Sequence, residues 1–518
     1  MGHRRPRLCV SHGTGSSHRT GEGACAPWPR RVCYPAPPEL PVKNVIVVGL
    51  DTLGAGHCGC YGYPRATTPH LDALARRGVR LANHYTVSPT CTPSWTSLLT
   101  GWAPTHHRVM ATLWQWENLR SQTLDDAVVT LPEMYQAAGY TTAGFSFLPT
   151  LMAHHPSWFT RGFEYFVNPH RSLTRSRDMS CTSADAVNAR LLPWLEAHRE
   201  EQFFAFVTYW EPHQPYYHPP EFAGHFAGDV LPTVESPIGK YIPGFGAAED
   251  LDAAARRDLD RYDRSVAYVD DRLGALVAKL DELGLSDDTL LVVTADHGES
   301  MTEHGIRFEH RGQYDPVTRV PMIFVHPSLG AGHVVETGTQ ATDLAPTLLA
   351  LSGLEGPFEQ ERAAMDGRSL VDELHGACGP ADWALVTEQA EDLAATRALH
   401  TPEWFYSARF MDVAPDPPVR YRGYLAPREL YHRVSDPYLT RNVIDEQPEV
   451  AARLDAQLRA WVEAHLTPGT SDPLLDPYLL ELNMLHRRGH LRWRYDEQLD
   501  ALRKTRDADG DSSPERRG

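Results

Sequence analysis

Three uninterrupted apolar runs punctuate the chain: "VKNVIVVGLD" (Val42–Asp51), "EQFFAFVTYW" (Glu201–Trp210) and "TLLVVT" (Thr289–Thr294). Each is rich in β-branched or aromatic residues and lacks polar alternation, the pattern of a strand buried on both faces. Each also ends at or just before a residue able to carry chemistry: Asp51, Glu211-Pro212-His213 and Asp296. Helical periodicity fills the gaps. Leu259, Tyr262, Val266, Val269, Leu273, Leu276 and Leu280 recur at three- and four-residue steps, which predicts a long amphipathic helix over about Asp258–Leu283. A shorter helix is predicted from Pro69, with Gly78 stopping it in the left-handed cap conformation. Another is predicted over Thr342–Gly353, with Thr342 at its N-cap and Gly353 beyond its end. Strands alternating with helices predict an α/β domain built on a large, mostly parallel sheet. Ligands of such sheets bind outside the carboxyl ends of the strands, where Asp51, His213 and Asp296 are expected to converge.

The pattern changes beyond about His375. Strand-like aromatic pieces, "WALVTEQ" and "EWFYSARF", precede a helix predicted over Pro448 to about Leu466. The expected organisation is a disordered segment 1–41, a catalytic domain 42–375, a smaller C-terminal α+β subdomain 376–480, and a C-terminal helix or tail 481–518, partly disordered. Composition narrows the function. A formal charge of −18, from 67 acidic and 49 basic residues, argues against a nucleic-acid partner, which needs a basic surface to displace counterions. No stretch approaches the roughly 18 apolar residues of a membrane span, and residues 1–41 hold no signal-like apolar run. A cytoplasmic protein with no membrane partner is expected. The eight cysteines include no C-x-x-C pair, which argues against a structural zinc site. Cys58 and Cys60 in "HCGCYGY" are read as small residues near a turn.

Chemistry concentrates in three places. One is Asp51. A second is Asp296-His297-Gly298-Glu299, followed by Glu303-His304 and Glu309-His310-Arg311. The third is "SPTCTPSWTSLLTG" around Cys91. Aspartates and a histidine gathered at strand ends suit a hard divalent cation.

These stretches carry a resemblance. "VGLDTL", "CYGYPRATTPHLDALARRGVRLANHY", "CTPSWTSLLTG", "EPHQPY", "TADHGES", "EHGIRFEHRGQYDPVTRVPMIF", "TDLAPTLLALSG" and "ELYHRVSDP" occur in one order, and in that order the chain resembles the sulfatase family of alkaline-phosphatase-like hydrolases. The resemblance implies an alkaline-phosphatase-like α/β sandwich with a large, mostly parallel sheet flanked by helices, plus a smaller C-terminal subdomain. It implies one divalent cation, Ca2+ in most members and Mn2+ in some, held by Asp51, Cys91, Asp296 and His297. It implies oxidation of Cys91 to formylglycine by a formylglycine-generating enzyme, and it makes His213, His304, His310 and Arg311 the candidates for acid–base and charge-neutralising work. The implied substrate is a small-molecule or sugar sulfate ester, with a phosphate diester, monoester or phosphonate as the close variant. The chain departs from the family at several points. Trp95 stands in place of the signature arginine, Glu211 in place of an aspartate, Thr52 in place of a second aspartate, and Gly54 and Gly56 in place of Arg and Asp. A catalytically silent binding protein is the reading from another class. The substrate pocket is expected from segments 112–130, 154–177 and 229–246, with Trp114, Trp116, Trp158 and Tyr217 as stacking faces.

Overall fold

A strand with apolar residues on both faces must be covered on both, and the structure does this for all three apolar runs. The computed structural model describes residues 42–111, 123–151, 158–168, 183–229, 231, 234–236, 239–242, 245–247, 253–306, 308–390, 395–410 and 427–475. The expected N-terminal segment 1–41, the tail 481–518, and Trp114 and Trp116 lie outside the described residues.

The first strands are β1 (Asn44–Leu50), β2 (Val79–Tyr85), β3 (Thr141–Phe145), β4 (Tyr165–Val167) and β5 (Phe203–Tyr209). A small antiparallel meander follows, made of β6 (Val234–Ser236), β7 (Gly239–Ile242) and β8 (Phe245–Ala247). Then come β9 (Thr289–Thr294), β10 (Met322–Val325) and β11 (His333–Gln340). The eight-stranded main sheet has the order β11-β2-β10-β9-β1-β5-β3-β4. Its pairings are parallel except at β10, which runs antiparallel to both neighbours. The three predicted runs are the adjacent strands β9, β1 and β5 at its centre.

The alternation within β1 divides the core. Ile46, Val48 and Leu50 join one cluster with α1 (Pro69–Arg77) and the helices Ala184–Ala197 and Ala253–Glu282. Val45 and Val47 join the other with α2 (Cys91–Thr100) and the helix Leu344–Leu351. Helices therefore cover both faces. Two local expectations are corrected. Gly78 ends α1 with φ −128° rather than in the left-handed region; a side chain there would strike the Phe324 carbonyl of β10, so close approach explains the glycine. Thr342 is not the N-cap. Gln340 and Asp343 form a reciprocal capping box around the turn Ala341–Asp343, and Asp343 precedes the helix.

The C-terminal region forms a separate antiparallel sheet of β12 (Leu385–Gln389), β13 (Thr396–His400), β14 (Trp404–Arg409) and β15 (Arg428–His432). The helix Pro448–His465 packs on it through Leu454 and Leu458. Arg433 binds Asp315 at 2.7 and 3.0 Å, joining the two sheets. Among the described residues, no helix is long and apolar enough to cross a membrane.

Every residue of α2 is buried. Trp95 projects from it onto β1, where a Cβ on Gly49 would overlap the indole ring. Its ring meets Phe206 of β5 edge-on at 5.7 Å. Position 95 thus points into the sheet packing, and Nε1 has no hydrogen-bond partner among the described residues. Gly49→Ala is expected to cost about 1–3 kcal/mol by overpacking. Trp95→Arg is expected to cost more, because it buries an unpaired charge. Urea unfolding checks both. Trp95→Phe should partly relieve the Gly49→Ala penalty in a double-mutant cycle.

Candidate active site

The carboxyl ends of β1 and β9 are neighbours, so the residues that follow them meet. Close approach is completed by two glycines: a Cβ on Gly298 would lie 2.8 Å from the Gly54 Cα. Asp51, Cys91, Asp296 and His297 bring one ligand atom each to within 4.8 Å of one another. All four are buried. Cys91 opens α2, where unpaired backbone N–H groups and the helix dipole favour negative charge. Ser94, one turn on, donates from Oγ to the Asp296 carbonyl at 2.6 Å, tying α2 to the loop after β9.

Hydrogen bonds orient each donor. Thr52 donates from N–H to Asp296 Oδ1 at 3.1 Å and from Oγ1 to Asp51 Oδ1 at 2.7 Å. Asp296 Oδ1 also accepts the His297 N–H at 2.9 Å. His297 Nδ1 lies 3.0 Å from the Gly298 carbonyl. A carbonyl only accepts, so Nδ1 carries the proton and Nε2 presents a lone pair. Nε2 lies 3.3 Å from Cys91 Sγ and 3.5 Å from Asp296 Oδ2.

The residues fit a divalent cation. Oδ2 of Asp51 and Oδ2 of Asp296 are buried with no hydrogen-bond partner among the described residues. Burial, then the neighbouring Asp296 charge, pushes the Asp51 carboxyl well above the usual carboxylate range. Two adjacent buried carboxylates need an opposing charge, and a dication supplies it.

Around this cluster stands a ring of histidines. The His310 ring stacks on His297 at 4.6 Å and lies 5.2 Å from His213. Trp210 packs on His213 at 4.1 Å. His213 Nδ1 is 2.9 Å from the Gln214 carbonyl, so its Nε2 is also the bare nitrogen. Burial pushes His213 down to about 3 and His310 well below the ordinary range, and the Arg311 charge adds to both effects. Glu299 Oε1 faces His310 Nδ1 at 3.7 Å, while its Oε2 accepts the Tyr216 hydroxyl at 3.1 Å. The structure therefore brings together Asp51, Cys91, Asp296, His297, His213, His310 and Arg311. His304 is placed elsewhere: its ring stacks on Tyr314 at 3.5 Å and meets Tyr431 of the small sheet edge-on.

Tyr262 and Tyr216 are the contributors that sequence reasoning missed. Tyr262 donates its hydroxyl to the Thr52 carbonyl at 2.7 Å, yet in the helical repeat it is indistinguishable from a core residue. Of the expected pocket segments, 123–130, 158–168, 229, 231, 234–236, 239–242 and 245–246 are described. Trp158 is buried there, with Nε1 donating to Thr96 Oγ1 at 3.0 Å, and it offers no open stacking face. Tyr217 packs edge-on against Tyr268 at 6.0 Å.

Glu211, in place of the family's aspartate, accepts the Ala184 N–H at 3.0 Å at the start of the helix Ala184–Ala197. Burial raises its carboxyl to about 8. A folded value above the unfolded one means the ionised group costs stability as pH rises from about 4.5 through about 8. Glu211→Gln is therefore expected to gain thermal stability relative to the parent between pH 5 and pH 8.5. Melting curves across that range check it; a constant difference would contradict the assignment.

Comparison with known proteins agrees with this geometry. The sulfatase family model matches residues 43–354, more than half of the chain. The chain is 25% identical over 460 residues to an ulvan-active sulfatase of Formosa agariphila, covering 81% of this chain and 82% of that protein. It is 26% identical over 476 residues to the N-sulphoglucosamine sulphohydrolase of Homo sapiens, covering 81% and 89%. Among solved structures it is similar to a phosphonate monoester hydrolase from Silicibacter pomeroyi, with TM-score 0.62, 23% identity and coverage of 84% of this chain and 97% of that one. It is also similar to a protein solved in complex with its substrate D-glucosamine-2-N,6-O-disulfate, with TM-score 0.64, 19% identity and coverage of 84% and 99%. Those two likenesses establish the alkaline-phosphatase-like fold. With the family match they lead to one assignment: the chain belongs to the sulfatase family of sulfuric ester hydrolases.

Proposed function

We propose that the chain hydrolyses the sulfate ester of a sugar, with the side chain at position 91 as the source of the nucleophile and Asp51, Cys91, Asp296 and His297 as the holders of one divalent cation. The observation that carries this reading is the buried four-residue cluster with its two unpartnered carboxylate oxygens. Burying this cluster without a cation is costly, so its retention supports an intact cation centre over a decayed one. The sugar is inferred from the relatives, which include an ulvan-active sulfatase and a neighbour bound to a disulfated glucosamine.

When bound, the cation supplies Lewis acidity and charge neutralisation at the ester, either as Ca2+ or as Mn2+. Oxidation of Cys91 to formylglycine, by a formylglycine-generating enzyme, supplies an oxygen in place of the thiol sulfur. The rest falls to the chain's own groups. His213, neutral and with Nε2 bare, accepts a proton from the attacking hydroxyl and returns it to the leaving oxygen. His310 stands between His213 and His297 and relays protons beside them. Arg311 provides a permanent positive charge for the sulfate, which no neutral imidazole can. Trp210, packed on His213, keeps water from its ring. His304 takes no part, since its ring is committed to Tyr314.

Turnover of an aryl sulfate and of a sulfated monosaccharide, with Ca2+ or Mn2+ added, is the test. Cys91→Ala is expected to abolish activity, and His213→Ala to lower kcat by about 10²–10⁴-fold. Arg311→Ala should chiefly raise KM. Peptide mass spectrometry over residues 81–108 should find an aldehyde at position 91 in protein from its native host; an unmodified thiol in active enzyme would overturn the formylglycine assignment. Faster turnover of an aryl phosphodiester than of any sulfate would shift the reading to phosphoester hydrolysis.

A further inference from the structure

Thr52 has a backbone that its residue type disfavours. Its φ is +65°, a left-handed conformation that β-branched side chains rarely adopt. Such conformations persist where surrounding bonds over-determine them and cluster at functional sites. Here all three polar groups of the residue are engaged at the cluster or its support. The N–H reaches Asp296 Oδ1, Oγ1 reaches Asp51 Oδ1, and the carbonyl takes the Tyr262 hydroxyl at 2.7 Å.

The support behind it is equally buried. Tyr262 is fully buried and packs edge-on against His57 at 4.7 Å. His57 Nδ1 lies 3.0 Å from Asp263 Oδ1, and Asp263 Oδ2 accepts Tyr63 Oη at 2.6 Å and Arg65 at 2.7 Å. The long helix thus props the residue that follows Asp51.

The consequence concerns which oxygens remain. Both Oδ1 atoms are occupied by hydrogen bonds, and both Oδ2 atoms are buried without a partner among the described residues. We propose that Thr52 is a positioning residue that holds Asp51 and Asp296 as single-oxygen ligands and thereby sets the centre's preference for a compact cation over a large one. Ca2+ takes about 6–8 oxygen ligands, often with bidentate carboxylates. Two single carboxylate oxygens, the His297 imidazole nitrogen and the side chain at position 91 make four donors of mixed type, fewer than Ca2+ takes, and suit a smaller ion such as Mn2+. This rests on the reading of the cluster as a cation centre.

Titration calorimetry of the metal-stripped full chain with MnCl2 and with CaCl2 tests both levels. The parent protein is expected to bind Mn2+ more tightly than Ca2+. Thr52→Ser, which keeps the donor, should preserve that ratio. Thr52→Val, nearly isosteric but without the hydroxyl, should weaken Mn2+ about 10–100-fold, as losing the support of a metal ligand does, and should narrow the ratio. Thr52→Asp, a residue type that tolerates the left-handed region, should move the preference toward Ca2+ and serves if the valine variant does not fold by circular dichroism. A parent that prefers Ca2+, or an unchanged ratio in both Thr52→Val and Thr52→Asp, overturns the proposal and leaves the cation centre standing. Failure of both ions to bind the parent removes the cation centre, and the proposal with it.

Discussion

The structure turns on the burial of two carboxylates side by side. Asp51 and Asp296 follow adjacent parallel strands and are wholly removed from solvent. Like charges in that position repel, and each has lost its hydration. Backbone N–H groups, the Thr52 hydroxyl and the opening of α2 offset part of that cost. A divalent cation, with which the cluster is compatible, would offset what is left. The Gly54–Gly298 approach, the strained Thr52 and the Ser94 tie from α2 all serve to hold this one arrangement.

Family membership and local chemistry meet unevenly around it. The acidic and imidazole donors are all present, whereas the familiar signature arginine is a tryptophan. Its side chain lies against Gly49 and Phe206, within the packing between α2 and the sheet. Trp95 therefore packs the helix that opens with Cys91 against the sheet. Permanent positive charge beside the histidines comes from Arg311, whose field depresses both His213 and His310.

The histidines show how proximity in sequence differs from proximity in space. His304 and His310 stand six positions apart in one loop. His310 stacks on His297, while His304, at φ +55°, turns away to stack on Tyr314. No periodicity operates in an irregular loop, so nothing in the residue order separates the two. Glu211 illustrates the same point from the other side. It reads as a conservative replacement for aspartate, but its extra methylene belongs to a carboxyl that receives the start of another helix.

Cys91 is marked only through the family resemblance, whereas the residue order by itself determined the three central strands, the long helix and the strand-end positions of Asp51, His213 and Asp296. Those features follow from local periodicity and from the rule that parallel strands present their carboxyl ends to ligands. Tertiary structure alone decided the rest. It reversed β10 within an otherwise parallel sheet and made Gly78 a site of close approach rather than a left-handed cap. It also joined Thr52 to Tyr262, across 210 positions of sequence. The capping box of Gln340 and Asp343, in place of Thr342, is local, three residues apart, and differs from the expectation only in which residues form it. The other three share one physical reason: each depends on an atom supplied by a distant segment, and neither propensity nor spacing along the chain carries information about which segment that will be.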